Sequence, residues 1–142
     1  YIPEFIEWKL AQNYKKINPW PLGAGLVNYH FVYHPANLNV KILPAWFKDQ
    51  VEEKIEAYCQ LLEKRYADTP AFAANSYGLP RLRGLVRFMK SEDWSRRLPE
   101  FREYLKIMDS IRGTDFTKVF PEMKALYTEP ALAAALTPQT EL

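Results

Sequence analysis

Apolar residues recur at helical spacing along most of this chain, and the pattern is clearest after Pro44. Trp46, Val51, Ile55, Tyr58, Leu62 and Tyr66 recur at helical spacing, with charged residues between them. That spacing predicts a helix from about Ala45 to about Ala67. Its acidic residues Asp49, Glu52 and Glu53 come early and Lys64 and Arg65 late, as the helix dipole favours, and Thr69-Pro70 stops it. A second helix is predicted over Leu79 to Lys90, with Pro80 near its start and an apolar stripe of Leu82, Leu85, Val86 and Met89. Pro99 opens a third, carrying Phe101, Tyr104, Leu105, Met108 and Ile111 on one side, and Gly113 closes it in the C-cap position. Thr114 or Asp115 caps a final helix from about Phe116 to about Tyr127, interrupted at Pro121. At the other end, Ile2 to Lys16 reads as a helix with Pro3 in its first turn. Its apolar residues Phe5, Ile6, Trp8, Leu10 and Tyr14 form a broad stripe, which predicts packing against more than one neighbour.

Between these helices the pattern changes. Asn18-Pro19-Trp20-Pro21-Leu22-Gly23-Ala24-Gly25 stops any helix and reads as an ordered aromatic loop, since Trp20 has a large apolar surface to bury. Val27 to Tyr33 and Leu38 to Leu43 are short and rich in β-branched or aromatic residues, and His34-Pro35-Ala36-Asn37 is turn-like. They suggest a small hairpin. The expected fold is therefore mainly α, with about four or five helices and a small β-hairpin in the N-terminal third. Residues 1–128 are expected to form a single helical domain or C-terminal domain fragment, and residues 129–142 a frayed tail.

Composition narrows the classes of function. A chain of 142 residues with 48% hydrophobic and 25% charged residues has globular composition and the length of one domain. A formal net charge of +2 predicts no strong pull on nucleic acid or on an anionic membrane. The longest apolar stretch, Pro130 to Leu136, is too short to span a bilayer. The chain opens on Tyr1 with no signal-peptide pattern, so the expectation is a cytoplasmic, soluble piece of a processed or larger protein. A single cysteine, Cys59, excludes an intramolecular disulfide and any all-cysteine metal cluster built within this chain.

Candidate chemistry is sparse. His30 and His34 share a face on a strand or a helix, as metal ligands would, but no Glu completes a zinc motif and no third ligand is local. Gly23 and Gly25 lack the third glycine and the Gly-Lys-Ser/Thr of phosphate loops, and a turn is the plainer reading. Cys59 sits in an apolar helical pattern, which argues for a buried, inert thiol. Arg81, Arg83, Arg87, Lys90, Arg96 and Arg97 with Trp94 make a locally basic stretch able to grip phosphate. The acidic neighbours Glu92, Asp93, Glu100 and Glu103 favour a solvated helix face instead.

One ordered set of phrases is distinctive. It comprises Asn18-Pro19-Trp20-Pro21-Leu22-Gly23, Tyr29-His30-Phe31-Val32-Tyr33-His34-Pro35 and Leu43-Pro44-Ala45-Trp46-Phe47-Lys48, then Leu98-Pro99-Glu100-Phe101, Asp109 to Phe116, and Val119-Phe120-Pro121-Glu122-Met123. The set resembles the C-terminal region of radical-SAM proteins of the twitch type, a shortened SPASM domain, over most of the chain. Such enzymes hold a four-iron cluster and S-adenosylmethionine through a C-x3-C-x2-C motif, and twitch domains add further cysteines. With Cys59 alone, this chain holds neither site, and no ligand of the family maps onto it. The resemblance implies an accessory segment that covers an upstream barrel or contacts a peptide or other macromolecular substrate, with iron-sulfur cluster and S-adenosylmethionine confined to that upstream domain. Trp20, Tyr29, His30, Tyr33 and His34 are the candidate contact surface. The alternative is a stand-alone helical protein-interaction module that uses Trp20, Trp46 and Trp94 as anchors. A third reading, a small metal enzyme, would rely on His30 and His34.

Overall fold

The computed structural model describes residues 1–12, 30–68 and 78–127. Its fold is mainly α. The helices are α1 (Ile2–Ala11), α2 (Ala45–Tyr66), α3 (Gly78–Lys90), α4 (Leu98–Arg112) and the short α5 (Phe116–Val119), with 3-10 turns at Ala36–Leu38, Val40–Ile42, Ser95–Arg97 and Pro121–Tyr127. The described residues divide into two compact units. One contains α1, α2 from Lys48 and α3 as far as Phe88; the other contains Phe31–Phe47 and the chain from Met89.

In the first unit the predicted stripes become the core. Ile55, Tyr58, Cys59 and Leu62 of α2 are buried, as are Leu79, Leu82 and Val86 of α3 and Ile6 of α1. The 3.6-residue period brings each set to one side of its helix, so a single face can be removed from water. Polar contacts border this core. Arg83 of α3 reaches α2 with its whole guanidinium: Nε and Nη2 donate to Glu56 at 2.9 and 2.8 Å, and Nη1 donates to Glu63 at 2.9 Å. The two carboxylates hold the Arg83 pKa above its ordinary value.

The second unit is built around buried Ile42, Leu43, Met89, Leu98, Phe101 and Leu126. Pro99 sits in the first turn of α4, and Gly113 closes the helix in the left-handed conformation at φ 63°, where a β-carbon would be strained. Asp109 organises the corner that follows. Its carboxylate accepts from Thr114 Oγ1 at 2.7 Å and from the Phe116 N–H at 2.9 Å. Asp115 then caps α5 by accepting from the Thr117 N–H at 3.0 Å. Phe116 stands edge-on to Phe101 and tilts against Phe120, while Arg102 donates to the Tyr127 carbonyl at 2.8 Å and lies over the Tyr127 ring.

The expected hairpin is a correction: no strand occurs among the described residues. Leu38 to Leu43 instead takes in the end of one 3-10 turn, Ala36–Leu38, and the whole of a second, Val40–Ile42. Asn39 is the reason, because its side chain accepts from the Lys41 N–H at 3.0 Å and caps the second turn. That local bond satisfies the backbone within the segment and competes with a strand ladder. Residues 30–33 are irregular, and the rest of the Val27 to Tyr33 candidate lies outside the described residues. So do the expected continuation of α1 to Lys16, the Gly23-Ala24-Gly25 turn and the tail from Glu129.

Candidate functional site

The predicted contact residues fall into two groups. Trp20 and Tyr29 lie outside the described residues. His30, Tyr33 and His34 are all exposed, and Phe31 meets the Tyr33 ring edge-on at 6.3 Å. Of the other two anchors, Trp46 is partly exposed and stands edge-on to Phe47. Trp94 is half-buried and occupied by its own unit. Its ring lies under the Lys41 ammonium at 5.2 Å, its indole N–H donates to Glu92 at 3.0 Å, and its backbone N–H donates to the Lys41 carbonyl at 3.1 Å. Lys41 also pairs with Glu92, so Trp94, Lys41 and Glu92 form one cluster.

Two residues of the basic stretch are likewise drawn into the protein's own structure. Arg83 is spent on Glu56 and Glu63, and Arg97 donates to Glu100 at 3.0 Å. Cys59 is fully buried, and burial pushes its thiol pKa up. A thiol in that setting is a poor nucleophile and a poor cluster ligand. Among the described residues, no three His, Cys, Asp or Glu side chains gather to hold a metal ion. No helix among them is long and apolar enough to cross a membrane.

An aromatic surface emerges where the sequence predicted core. On α1, Phe5 and Trp8 are 49% and 53% exposed, and their rings stack at 5.9 Å between centroids and 18° between planes. Lys9 extends its ammonium over the Phe5 face at 5.8 Å. Ile2, on the same helix, is also exposed, whereas Ile6 is only 2% exposed. The α1 stripe is therefore split, with Ile6 enclosed and the aromatic pair outward.

Polar bonds from Glu4 and Glu7 hold α1 on α2. Glu4 accepts from Lys54 Nζ at 2.6 Å. Glu7 accepts from the Tyr58 hydroxyl at 2.7 Å and from Arg65 Nη1 at 2.9 and 3.1 Å. The Lys54 bond, with a backbone hydrogen bond, holds the Glu4 pKa down to about 2. For Glu7, burial acts to raise the pKa, but the Tyr58 and Arg65 hydrogen bonds outweigh it and leave the carboxyl below its ordinary value. Burial and the neighbouring Glu7 carboxylate push the Tyr58 hydroxyl up, so it remains a hydrogen-bond donor. A second apolar exposure occurs in the other unit, where Ile107 and Ile111 stand outward one turn apart on α4, Ile111 at 74%.

The sequence carried a signal for the split on α1. At 100° per residue, Phe5 and Trp8 point about 60° apart, while the mean direction of Ile6 and Leu10 lies about 150° away. Apolar residues that diverge so widely form two faces, and one neighbouring helix covers one. Comparison of the chain with protein-family models, curated proteins and solved structures returned no match.

Proposed function

We propose that this chain is a helical contact segment that docks on a protein surface through the aromatic face of α1. The observation that carries the reading is the stacked, half-exposed Phe5–Trp8 pair on a helix that is anchored from behind. Aromatic side chains supply large contact area with few rotatable bonds, which is why they dominate interface energetics. A pair already stacked and held on a docked helix loses little further freedom on binding. On the resemblance to twitch-type radical-SAM proteins, the surface it meets is the barrel of an enzyme encoded upstream in the same polypeptide. The alternative partner is a separate protein or peptide. An in-frame C-x3-C-x2-C upstream of Tyr1 supports the first, and a coding sequence without it supports the second.

The contact reading itself is tested by placing a photo-crosslinking amino acid at position 8 of the protein in its own cell. Irradiation is expected to give one adduct of defined mass, or one defined internal crosslink if the barrel lies in the same chain. Phe5→Asp should abolish it. A yield at position 8 no greater than at the exposed position Glu103 would refute the reading.

A further inference from the structure

Helix α1 has ten residues, short of the length at which an isolated helix is stable in water. Its helical form therefore depends on tertiary contacts, and among the described residues its side-chain bonds to another helix run to α2. Ile6 is the residue of α1 that is fully enclosed, and the named bonds beside it are polar: Lys54 to Glu4, and Tyr58 and Arg65 to Glu7. Glu7 is the centre of this attachment, since one carboxylate collects donors from two positions on α2. The pair is also open to solvent, with 42% of the Glu7 side chain and 36% of the Arg65 side chain exposed. Such a contact is weakened by salt and by competing anions.

We propose that Glu7, Tyr58 and Arg65 form a releasable latch, and that the aromatic face of α1 exists only while the latch is closed. Phe5 and Trp8 meet because they are three residues apart on a helix; if α1 unwinds, the stacked surface is dismantled. The latch thus converts a local ionic contact into an on–off control of a surface on the far side of the helix. The relation is reciprocal. Whatever docks on Phe5 and Trp8 favours the helical form of α1 and so tightens the latch. This inference concerns the order of α1 in the protein alone, and it stands or falls separately from the docking reading.

Amide hydrogen exchange on the unliganded protein tests it, comparing the wild type with Glu7→Ala. Alanine is the best helix former, so faster exchange in α1 cannot be assigned to lost propensity. The amides of α1 are expected to exchange about ten- to a hundredfold faster in the variant, following the loss of charge-assisted hydrogen bonds. Those of Leu82 to Phe88 in α3 should change by less than about threefold. In the wild type, 1 M NaCl should move α1 the same way, and Arg65→Lys should fall between wild type and Glu7→Ala. Unchanged α1 exchange in Glu7→Ala overturns the proposal. Equal acceleration of α1 and α3 also overturns it, because α1 would then be an inseparable part of the unit's core.

Discussion

Arg83 offers the sharpest quantitative test of how α3 is held to α2. Its guanidinium makes two parallel bonds to Glu56 and a third to Glu63, an arrangement that only arginine provides. The side chains are 34%, 41% and 38% exposed, so solvent screens each pair. Exposed pairs contribute about 0.2–1 kcal/mol, and bidentate geometry favours the upper end. The Arg83–Glu56 coupling should then be about 1 kcal/mol, with Glu63 adding about half of that. A double-mutant cycle with Arg83→Met and Glu56→Gln, read by urea unfolding, isolates the coupling. With a urea slope of about 2 kcal/mol per molar, 1 kcal/mol moves a midpoint by about 0.5 M, well within reach of the assay. In 1 M NaCl the coupling should shrink by about half or more, since the screening length there is about 3 Å. Arg83→Lys keeps the charge but loses the fork, and should retain less than half of the coupling. A coupling below about 0.3 kcal/mol, or one indifferent to salt, would refute the reasoning.

Three further outcomes follow from the same geometry. Leu62→Ala, at a side chain only 1% exposed, should cost about 2–5 kcal/mol in urea unfolding through lost burial and a residual cavity; a loss under about 1 kcal/mol would mean that the site collapses freely. Gly113→Ala should cost about 1 kcal/mol by thermal or urea unfolding, because φ is 63° while no atom lies within 4 Å of the added β-carbon, so backbone strain alone acts. Acid should destabilise the protein: the carboxyls of Glu4, Glu7 and Glu56 are depressed in the folded state, so their contribution is complete above the ordinary value of 4.5 and disappears as pH falls through the folded values, to about 2 for Glu4. Urea midpoints equal at pH 6 and pH 3 would contradict that sign.

Helix positions were legible because they depend on spacing and punctuation. Ala45 and Tyr66 bound α2 within a residue of the expected limits, and Pro99 and Gly113 mark the ends of α4 as the capping rules require. The turn chemistry was less legible. Leu38 to Leu43 has strand composition, yet an Asn39 side-chain bond caps a 3-10 turn over Val40–Ile42. Asp109, an interior helix residue by sequence, sets the corner after α4 by reaching forward to Thr114 and Phe116. Such contacts depend on where the chain goes next, which periodicity does not encode. The outward surface was least legible. Trp94 is a large aromatic beside charges, and its use as a platform for Lys41 depends on where Lys41 lies in the fold, which spacing does not encode. Ile111 belongs to the apolar stripe of α4 by spacing but stands exposed, while Leu98 and Phe101 near the start of the same helix are buried.

Charges that read as solvated faces of α2 have a more specific arrangement. Taking 100° per residue, Lys54 and Arg65 fall within about 20° of each other, while Glu56 and Glu63 fall about 180° from them. The buried residues Ile55, Tyr58, Cys59 and Leu62 occupy the arc between those rows. One border of the α2 core stripe is therefore cationic and meets the carboxylates of α1, and the other is anionic and meets Arg83 of α3. The apolar stripe alone would accept either helix on either side. Exchanging them would set Glu4 and Glu7 against Glu56 and Glu63, and Arg83 against Lys54 and Arg65, with like charges adjacent in every pair. Each surface ion pair adds little stability, yet the pattern as a whole separates the right order of helices from the wrong one. The same asymmetry places Glu7 at the border of the core, with Phe5 and Trp8 outward.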